Sequence, residues 1–144
     1  MEEEIEETLV SYETAKLAQE KGFDLTVRAY YNVPIDINKE IWIEDQDEPD
    51  NYNAEIFQKP RFTDCEIGVE YTFTSAPTQA LLQKWLREVH DIDFVIKPYY
   101  DNIDGKTYTA DPFSPGLGFI KIARQKSYET TLEIGLQEAL KLID

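Results

Sequence analysis

The sequence predicts an α+β fold: a single domain, residues 1–144, with a mainly antiparallel or mixed sheet of about five to six strands and three helices packed on it. Apolar residues recur at helical spacing in segments near residues 11–21, 76–90 and 127–143. Other segments alternate apolar and polar residues, which is typical of strands with one wet face. A chain of 144 residues with 42% hydrophobic residues is long enough to bury one core.

The first predicted helix covers about residues 11–21. Ser11 is a suitable N-cap, and Gly22 is the residue type that commonly ends a helix. The tetrapeptide that begins at Ser11 recurs at Ser127, as Ser-Tyr-Glu-Thr. Because the following residues differ, the two copies indicate similar helix starts rather than a repeat.

The middle helix is predicted to begin at Ser75-Ala-Pro77, since proline is tolerated in a first helical turn. One face of this helix is expected to be buried. It contains Thr78, Leu81, Leu82, Trp85, Leu86 and Val89.

The last helix has the clearest pattern. Its apolar face contains Leu132, Gly135, Leu136, Ala139, Leu140 and Ile143. Gly135 lowers helix propensity by about 1 kcal/mol, so we expect it to allow close approach of a neighbouring element.

The strands follow a period of two. Clear alternation predicts strands at residues 25–33, 67–73 and 92–100, and a glycine-containing turn leads from the last of these into 106–110. Weaker strands are expected at 40–44 and 118–123. The predicted order is αββ, acidic loop, βα, βββ, α.

The net charge of −15 is concentrated in the first half of the chain. Residues 1–70 contain 19 acidic and 6 basic residues. The run at residues 2–7 predicts a frayed acidic N-terminus over 1–9, because dense like charges resist packing. The run at 44–50 predicts a long acidic loop over 45–63, and long loops are often functional.

Composition also excludes several classes of function. The acidity argues against direct nucleic-acid binding and against attachment to anionic membranes. Residues 1–7 do not resemble a signal peptide, and no apolar stretch reaches membrane-spanning length. One cysteine cannot form an intrachain disulfide. We therefore expect a soluble, cytoplasmic protein.

Cys65 and His90 are each the only residue of their type. A Cys–His pair for nucleophilic catalysis would need the two in contact and a third group to orient the histidine. Nothing local indicates this, so both are interpreted as structural, with His90 in the last turn of a helix.

Asp45, Asp47 and Asp50 invite comparison with a calcium-binding loop. From Asp45, the fifth, sixth and twelfth positions are Pro49, Asp50 and Ile56, which departs from the EF-hand pattern at all three. An irregular carboxylate site for Ca²⁺ or Mg²⁺ remains the weaker alternative to a solvated run.

Neither the glycine-containing stretch at 114–118 nor the carboxylates as a group form a recognisable ligand site. Ser114-Pro-Gly-Leu-Gly118 lacks the lysine and hydroxyl residue of a phosphate-binding loop and is interpreted as a turn. The sequence singles out no catalytic pair of carboxylates and no cofactor.

The aromatic residues suggest a binding surface instead. Tyr30–Tyr31 and Tyr99–Tyr100 occupy adjacent strand positions, so one ring of each pair is expected to face away from the core. Helices on both faces of the sheet would remove this exposure. The interaction candidates are Tyr30, Trp42, Glu44, Asp45, Asp47, Glu48 and Tyr99.

The predicted middle helix and its start read Ser75-Ala-Pro-Thr-Gln-Ala-Leu-Leu-Gln-Lys-Trp-Leu-Arg-Glu-Val-His90. This segment resembles part of short proteins encoded by phages and prophages of gut anaerobes. The helix at 128–143 and the opening at 11–23 are also similar to theirs. The resemblance covers the first helix and residues 71–144, and it leaves 34–64 unmatched. It implies a phage or prophage origin and carries over no catalytic residue.

These observations favour a non-enzymatic protein-interaction module with an unknown protein partner. One form of this hypothesis is a nucleic-acid mimic, whose carboxylates occupy a basic site. The alternatives are a carboxylate-based small-ligand or metal-binding protein or enzyme, and an assembly component that forms homo-oligomers.

Overall fold

The structure is a computed structural model, and it describes residues 7–36, 38–62, 69–122 and 124–144. In that part of the chain the fold is α+β, with three helices and two antiparallel sheets. By its internal contacts the chain divides into two compact units, residues 11–77 and residues 1–10 with 78–144. The sequence predicts one domain around one sheet, whereas each unit has a sheet of its own.

The unit of residues 11–77 contains helix α1 (Tyr12–Glu20) and a four-stranded sheet. Its strands lie in the order β2, β1, β4, β3, so β2 and β3 form the edges. Their bounds are β1 (Val27–Pro34), β2 (Trp42–Asp50), β3 (Arg61–Phe62) and β4 (Glu70–Ser75), and a 3₁₀ turn spans Glu55–Phe57.

Both faces of β1 are covered. Tyr12 of α1 packs edge-on against Tyr31, with ring centroids 5.6 Å apart. On the other face Tyr30 and Asn32 are buried at 5% and 2% exposure. Tyr30, one of the interaction candidates, is therefore buried, because aromatic side chains cover the face that the alternation pattern leaves to water.

The predicted acidic loop is wrong over its first six residues. The sheet extends through the acidic run, and β2 ends at Asp50. Every residue from Ile43 to Asp50 is exposed, so solvent weakens the repulsion among the carboxylates. Strand pairing with β1 therefore outweighs that repulsion. The 3₁₀ turn and β3 shorten the rest of the loop, and residue 63 lies outside the described residues.

The second unit contains α2 (Gln79–His90), β5 (Asp93–Asp101), β6 (Gly105–Ser114), β7 (Gly118–Phe119) and α3 (Tyr128–Lys141). Its sheet has the order β5, β6, β7. The predicted hairpin is confirmed as β5 and β6, and Gly105 takes a positive φ of 71° at its turn.

Helix α3 packs on β6 where the sequence predicts close approach. A Cβ on Gly135 would lie 2.7 Å from the Ala110 carbonyl oxygen and 3.3 Å from the Ala110 Cβ. The predicted buried face of α3 is confirmed at Leu132, Gly135, Leu136, Ala139 and Leu140.

Helix α2 begins later than predicted, and part of its predicted face is exposed. Thr78 is the N-cap, since its hydroxyl accepts the Leu81 N–H at 3.1 Å, so Pro77 precedes the helix. Leu82, Trp85 and Leu86 are buried as expected, whereas Val89 is 59% exposed.

The predicted frayed N-terminus is wrong at its last two positions. The Gln79 N–H donates to the Thr8 carbonyl oxygen at 2.8 Å, and Leu9 forms an isolated antiparallel bridge with Thr78. Residues 1–6 of that segment lie outside the described residues. So do residues 67 and 68 of the strand predicted at 67–73 and residue 123 of the strand predicted at 118–123.

Candidate functional site

The most exposed charged element of the unit 11–77 is β2. In the part of the chain that the structure describes, β2 pairs with β1 on one side and forms a sheet edge on the other. Five of the seven residues from Glu44 to Asp50 are acidic. We call Glu44–Asp50 the acidic strand.

The acidic strand bulges away from β1. Ala29 pairs with Asp45, but the next pair along β1 joins Val27 to Asp50. Three more residues of β2 than of β1 separate these pairs, and Pro49, which lacks an N–H to donate, lies among them. The bulge exposes Asp47 and Glu48 beyond the regular ladder.

Glu44 anchors the acidic strand to the sheet. Its carboxylate accepts hydrogen bonds from the Tyr30 hydroxyl at 2.8 Å and from Trp42 Nε1 at 3.0 Å. Gln46 Nε2 donates to the Tyr30 hydroxyl oxygen at 3.1 Å. Glu44 therefore has a structural role, whereas Asp45, Asp47, Glu48 and Asp50 present carboxylates to solvent.

Aromatic rings pack beneath the acidic strand. The Tyr30 ring lies 4.4 Å from the rings of both Tyr52 and Phe73, and the Tyr52 ring lies 5.1 Å from Phe57. The Arg61 guanidinium lies 5.0 Å above the Phe73 ring. This packing gives the exposed strand a firm support.

An open depression of about 480 Å³ lies between the rings and the acidic strand. Asp47, Glu48 and Asp50 line it together with Gln46, Tyr30, Tyr52 and Phe57. Burial and the hydrogen bond to Glu44 raise the pKa of Tyr30 to about 12. Burial first, then the charges of Asp50, Asp45 and Glu48, also raises the pKa of Tyr52.

These pKa shifts determine what the depression can do chemically. Both tyrosine hydroxyls stay protonated near neutral pH, so neither is suited to act as a general base. The surrounding carboxylates are exposed, whereas catalytic acids are usually tuned by burial. A rim of negative charge over aromatic rings is suited to binding cationic groups.

The three candidate metal ligands do not converge. Asp47 lies 3.9 Å from Arg28 Nη2, and Asp50 accepts the Asn51 N–H. Over residues 7–36, 38–62, 69–122 and 124–144, no group of three or more His, Cys, Asp or Glu side chains could hold a metal ion. The metal-site alternative for Asp45, Asp47 and Asp50 stays a prediction from the sequence.

The remaining candidates are not residues of the acidic strand. Trp42 is half-buried, with its ring 5.8 Å from Tyr71. Tyr99 belongs to β5 of the second unit, where Arg124 covers its ring. His90 ends α2 and packs edge-on against Trp85 at 4.7 Å, while Cys65 lies outside the described residues.

Sequence reasoning missed Gln46, Tyr52, Phe57, Arg61 and Phe73 as parts of this region. The sequence did carry a signal for Gln46. Trp42, Glu44 and Gln46 are spaced two residues apart, so in a strand their side chains lie on one face, the face on which Tyr30 has its partners. No local signal places Tyr52 and Phe57 against Tyr30, because that contact depends on how the chain returns over the sheet.

Comparisons with known proteins add no further constraint. The chain matches no protein-family model, and searches of curated proteins and of solved structures find no significant similarity. None of the helices in the described part of the chain combines the length and the apolar character that crossing a bilayer requires.

Proposed function

We propose that this protein is a non-enzymatic interaction protein whose acidic strand binds a basic surface of a protein partner. The observation that supports this most directly is the row of exposed carboxylates along a sheet edge. We also propose that the protein is of phage or prophage origin, as the sequence resemblance implies. That resemblance rests on residues outside the acidic strand.

The charge density of the acidic strand suggests the kind of partner. At a rise of about 3.3 Å per residue, the six residues from Asp45 to Asp50 span at most roughly 20 Å, or about 5 Å for each of the four carboxylates that face solvent. One strand of duplex DNA carries one charge per about 3.4 Å of helix axis. A basic surface that binds nucleic acid is therefore a suitable partner, and the protein would act there as a nucleic-acid mimic.

A purely protective role for the acidic strand makes the opposite prediction. Charges on an edge strand prevent it from pairing with other chains. If protection were the sole role, neutralising the strand would cause aggregation and leave the affinity for cationic probes no different from that of any variant with the same net charge.

The test compares two variants of equal charge. The acidic-strand variant carries Asp45→Asn, Asp47→Asn, Glu48→Gln and Asp50→Asn, and it keeps Glu44 because Glu44 supports Tyr30 and Trp42. The control neutralises four exposed acids elsewhere. It carries Glu20→Gln, Glu88→Gln, Asp93→Asn and Asp104→Asn.

Binding to a fluorescent peptide of alternating lysine and arginine is followed by anisotropy. We expect the acidic-strand variant to bind at least about tenfold more weakly than the control, with a shallower dependence on salt. A single-stranded oligonucleotide should compete with the wild-type protein for the peptide. Equal affinities of the two variants would refute the proposal.

A further inference from the structure

The depression beneath the acidic strand has the size of a ligand site. Its volume is about 480 Å³, and pockets of roughly 300–1,000 Å³ hold small organic ligands, so one long side chain fits. The acidic strand contributes Asp47, Glu48 and Asp50 to its lining, and Tyr52 and Phe57 contribute aromatic rings. This combination favours a ligand that is positively charged and can also pack against a ring.

Phe57 is the ring that a bound group can reach. Tyr30 and Tyr52 are only 5% and 6% exposed and form the floor of the depression, whereas Phe57 is half-buried. The 3₁₀ turn holds Phe57 in position, since its N–H donates to the Ala54 carbonyl oxygen at 2.9 Å. Its ring packs 5.1 Å from the Tyr52 ring. The ring is therefore in place before any ligand binds.

Side-chain hydrogen bonds tie the segment that carries these rings to the sheet. The Gln58 side-chain amide donates to the carbonyl oxygens of Tyr52 and Phe73, both at 2.9 Å. The Asn53 side-chain oxygen accepts the Ser75 N–H at 2.9 Å. A site that is fixed in advance loses less conformational entropy on binding.

Two arginines of the chain already make the contacts that a bound guanidinium needs. The Arg61 guanidinium lies 5.7 Å from the centre of the Phe57 ring. Arg28 Nε donates to the Gln46 carbonyl oxygen at 3.1 Å, and Arg28 Nη2 lies 3.9 Å from Asp47 Oδ1. Packing against a ring and pairing with a carboxylate thus both occur at residues that line the depression.

A guanidinium suits the depression better than an ammonium does. It is planar and weakly hydrated, and its five N–H donors can reach several carboxylates while its face packs on a ring. A lysine ammonium is a compact, strongly hydrated point charge. Within the described ranges, no group of three or more His, Cys, Asp or Glu side chains could hold a metal ion, so the carboxylates of the depression do not gather around one point.

We propose that the depression binds the guanidinium of an arginine side chain on the basic surface of the partner. This inference rests on the proposed function, and it deepens that function by naming the side chain that is recognised. The guanidinium packs on Phe57 and pairs with the carboxylates of Asp47, Glu48 and Asp50. Arg28 does not prevent this, because an exposed ion pair such as Arg28–Asp47 is weak.

The test compares two fluorescent peptides of equal length and charge by anisotropy, one of six arginines and one of six lysines. The measured quantity is the ratio of their dissociation constants. Phe57→Leu removes the ring while it keeps an apolar side chain and every carboxylate. Phe119→Leu is the matched control, because Phe119 is 59% exposed and belongs to β7 of the second unit.

We expect the wild-type protein and Phe119→Leu to bind the arginine peptide at least about threefold more tightly than the lysine peptide. Phe57→Leu should lower this ratio by at least about twofold, because the guanidinium loses the ring on which it packs. Circular dichroism establishes that both variants are folded. The same ratio in all three proteins would overturn the inference.

A second measurement uses the wild-type protein and does not depend on the folding of Phe57→Leu. Titration with N-acetylarginine amide, followed by heteronuclear NMR, should shift the backbone amide signals of Gln46, Asp47 and Tyr52. N-acetyllysine amide at the same concentrations should shift them less. Equal shifts with the two compounds, or shifts confined to other parts of the chain, would overturn the inference.

Failure of this inference is distinguishable from failure of the proposed function. If the ratio does not depend on Phe57 but the acidic-strand variant still binds the mixed lysine–arginine peptide more weakly than its control, the proposed function stands and the depression does not select arginine. If the acidic-strand variant and its control bind that peptide equally, the proposed function fails and this inference fails with it.

Discussion

At the scale of single residues, the structure assigns different roles to side chains that look equivalent in the sequence. Glu44 and Asp45 are adjacent acids, yet Glu44 holds two aromatic side chains and Asp45 faces water. The sequence identifies the acidic run and Trp42 as notable. It does not separate anchoring acids from exposed ones, because that depends on the position of the Tyr30 hydroxyl, which tertiary packing sets.

Tyr30 leads to a prediction about alkaline pH. Its pKa is raised from 10.0 to about 12, so the folded protein holds this proton more tightly than the unfolded chain does. The resulting stabilisation is complete below pH 10 and is lost as the pH rises towards about 12. We expect Tyr30→Phe to remove a late-titrating tyrosine and to weaken the loss of stability in that range.

Near-ultraviolet absorbance of tyrosinate, with denaturant melts at each pH, measures both quantities. Tyr100→Phe is the control, because Tyr100 is 72% exposed. An unchanged alkaline loss of stability in Tyr30→Phe would contradict the assignment.

At the scale of secondary structure elements, local signals predicted the helices well. The two Ser-Tyr-Glu-Thr segments begin α1 and α3, and in both the serine hydroxyl accepts the N–H three residues later, at 3.3 Å for Ser11 and 3.0 Å for Ser127. Such caps depend on four consecutive residues, so they can be read from sequence. The acidic strand could not be, because dense carboxylates are typical of a solvated loop, and that signal conceals the pairing with β1.

The capping role of Ser127 gives a prediction with a built-in control. Ser127→Ala removes the acceptor for the Thr130 N–H and should lower the free energy of unfolding by about 1 kcal/mol, within a range of about 0.5–2. Ser127→Asn retains a capping oxygen and should restore most of that loss. Urea denaturation followed by circular dichroism measures all three proteins. Equal midpoints for wild type and Ser127→Ala would show that the hydrogen bond contributes nothing.

At the scale of the whole molecule, the sequence predicted the class of fold but did not predict that the strands form two separate sheets. It predicted an α+β chain with mainly antiparallel pairing, which the structure confirms in part, since β1–β4 and β5–β7 form two sheets where one was expected. Alternation shows that a segment is a strand with one wet face. Alternation carries no information on which strands pair, so it cannot predict the number of sheets.

The net charge of −15 predicts how salt affects stability. With 29 acidic and 14 basic residues, many carboxylates have no cation to pair with, and ion pairs such as Arg28–Asp47 are exposed. Repulsion among carboxylates therefore destabilises the fold at low salt. Raising NaCl from about 0.01 to 0.15 M, which shortens the Debye length from about 30 to 8 Å, should raise Tm.

Thermal melts followed by circular dichroism measure the Tm at each salt concentration. A parallel series in KCl distinguishes general screening of charge from an effect specific to NaCl. A fall in Tm with salt would mean that attractive ion pairs outweigh repulsion in the folded protein.

The contact between Gly135 and Ala110 limits how this chain can evolve. A side chain at position 135 would meet the Ala110 carbonyl oxygen at 2.7 Å, and that oxygen belongs to the backbone. Replacing Ala110 by a smaller residue would remove its Cβ and leave the oxygen in place, so no second mutation on β6 compensates for a larger residue on α3. Descendants that keep this spacing between helix and strand must keep the glycine, whatever happens to the charges on the surface.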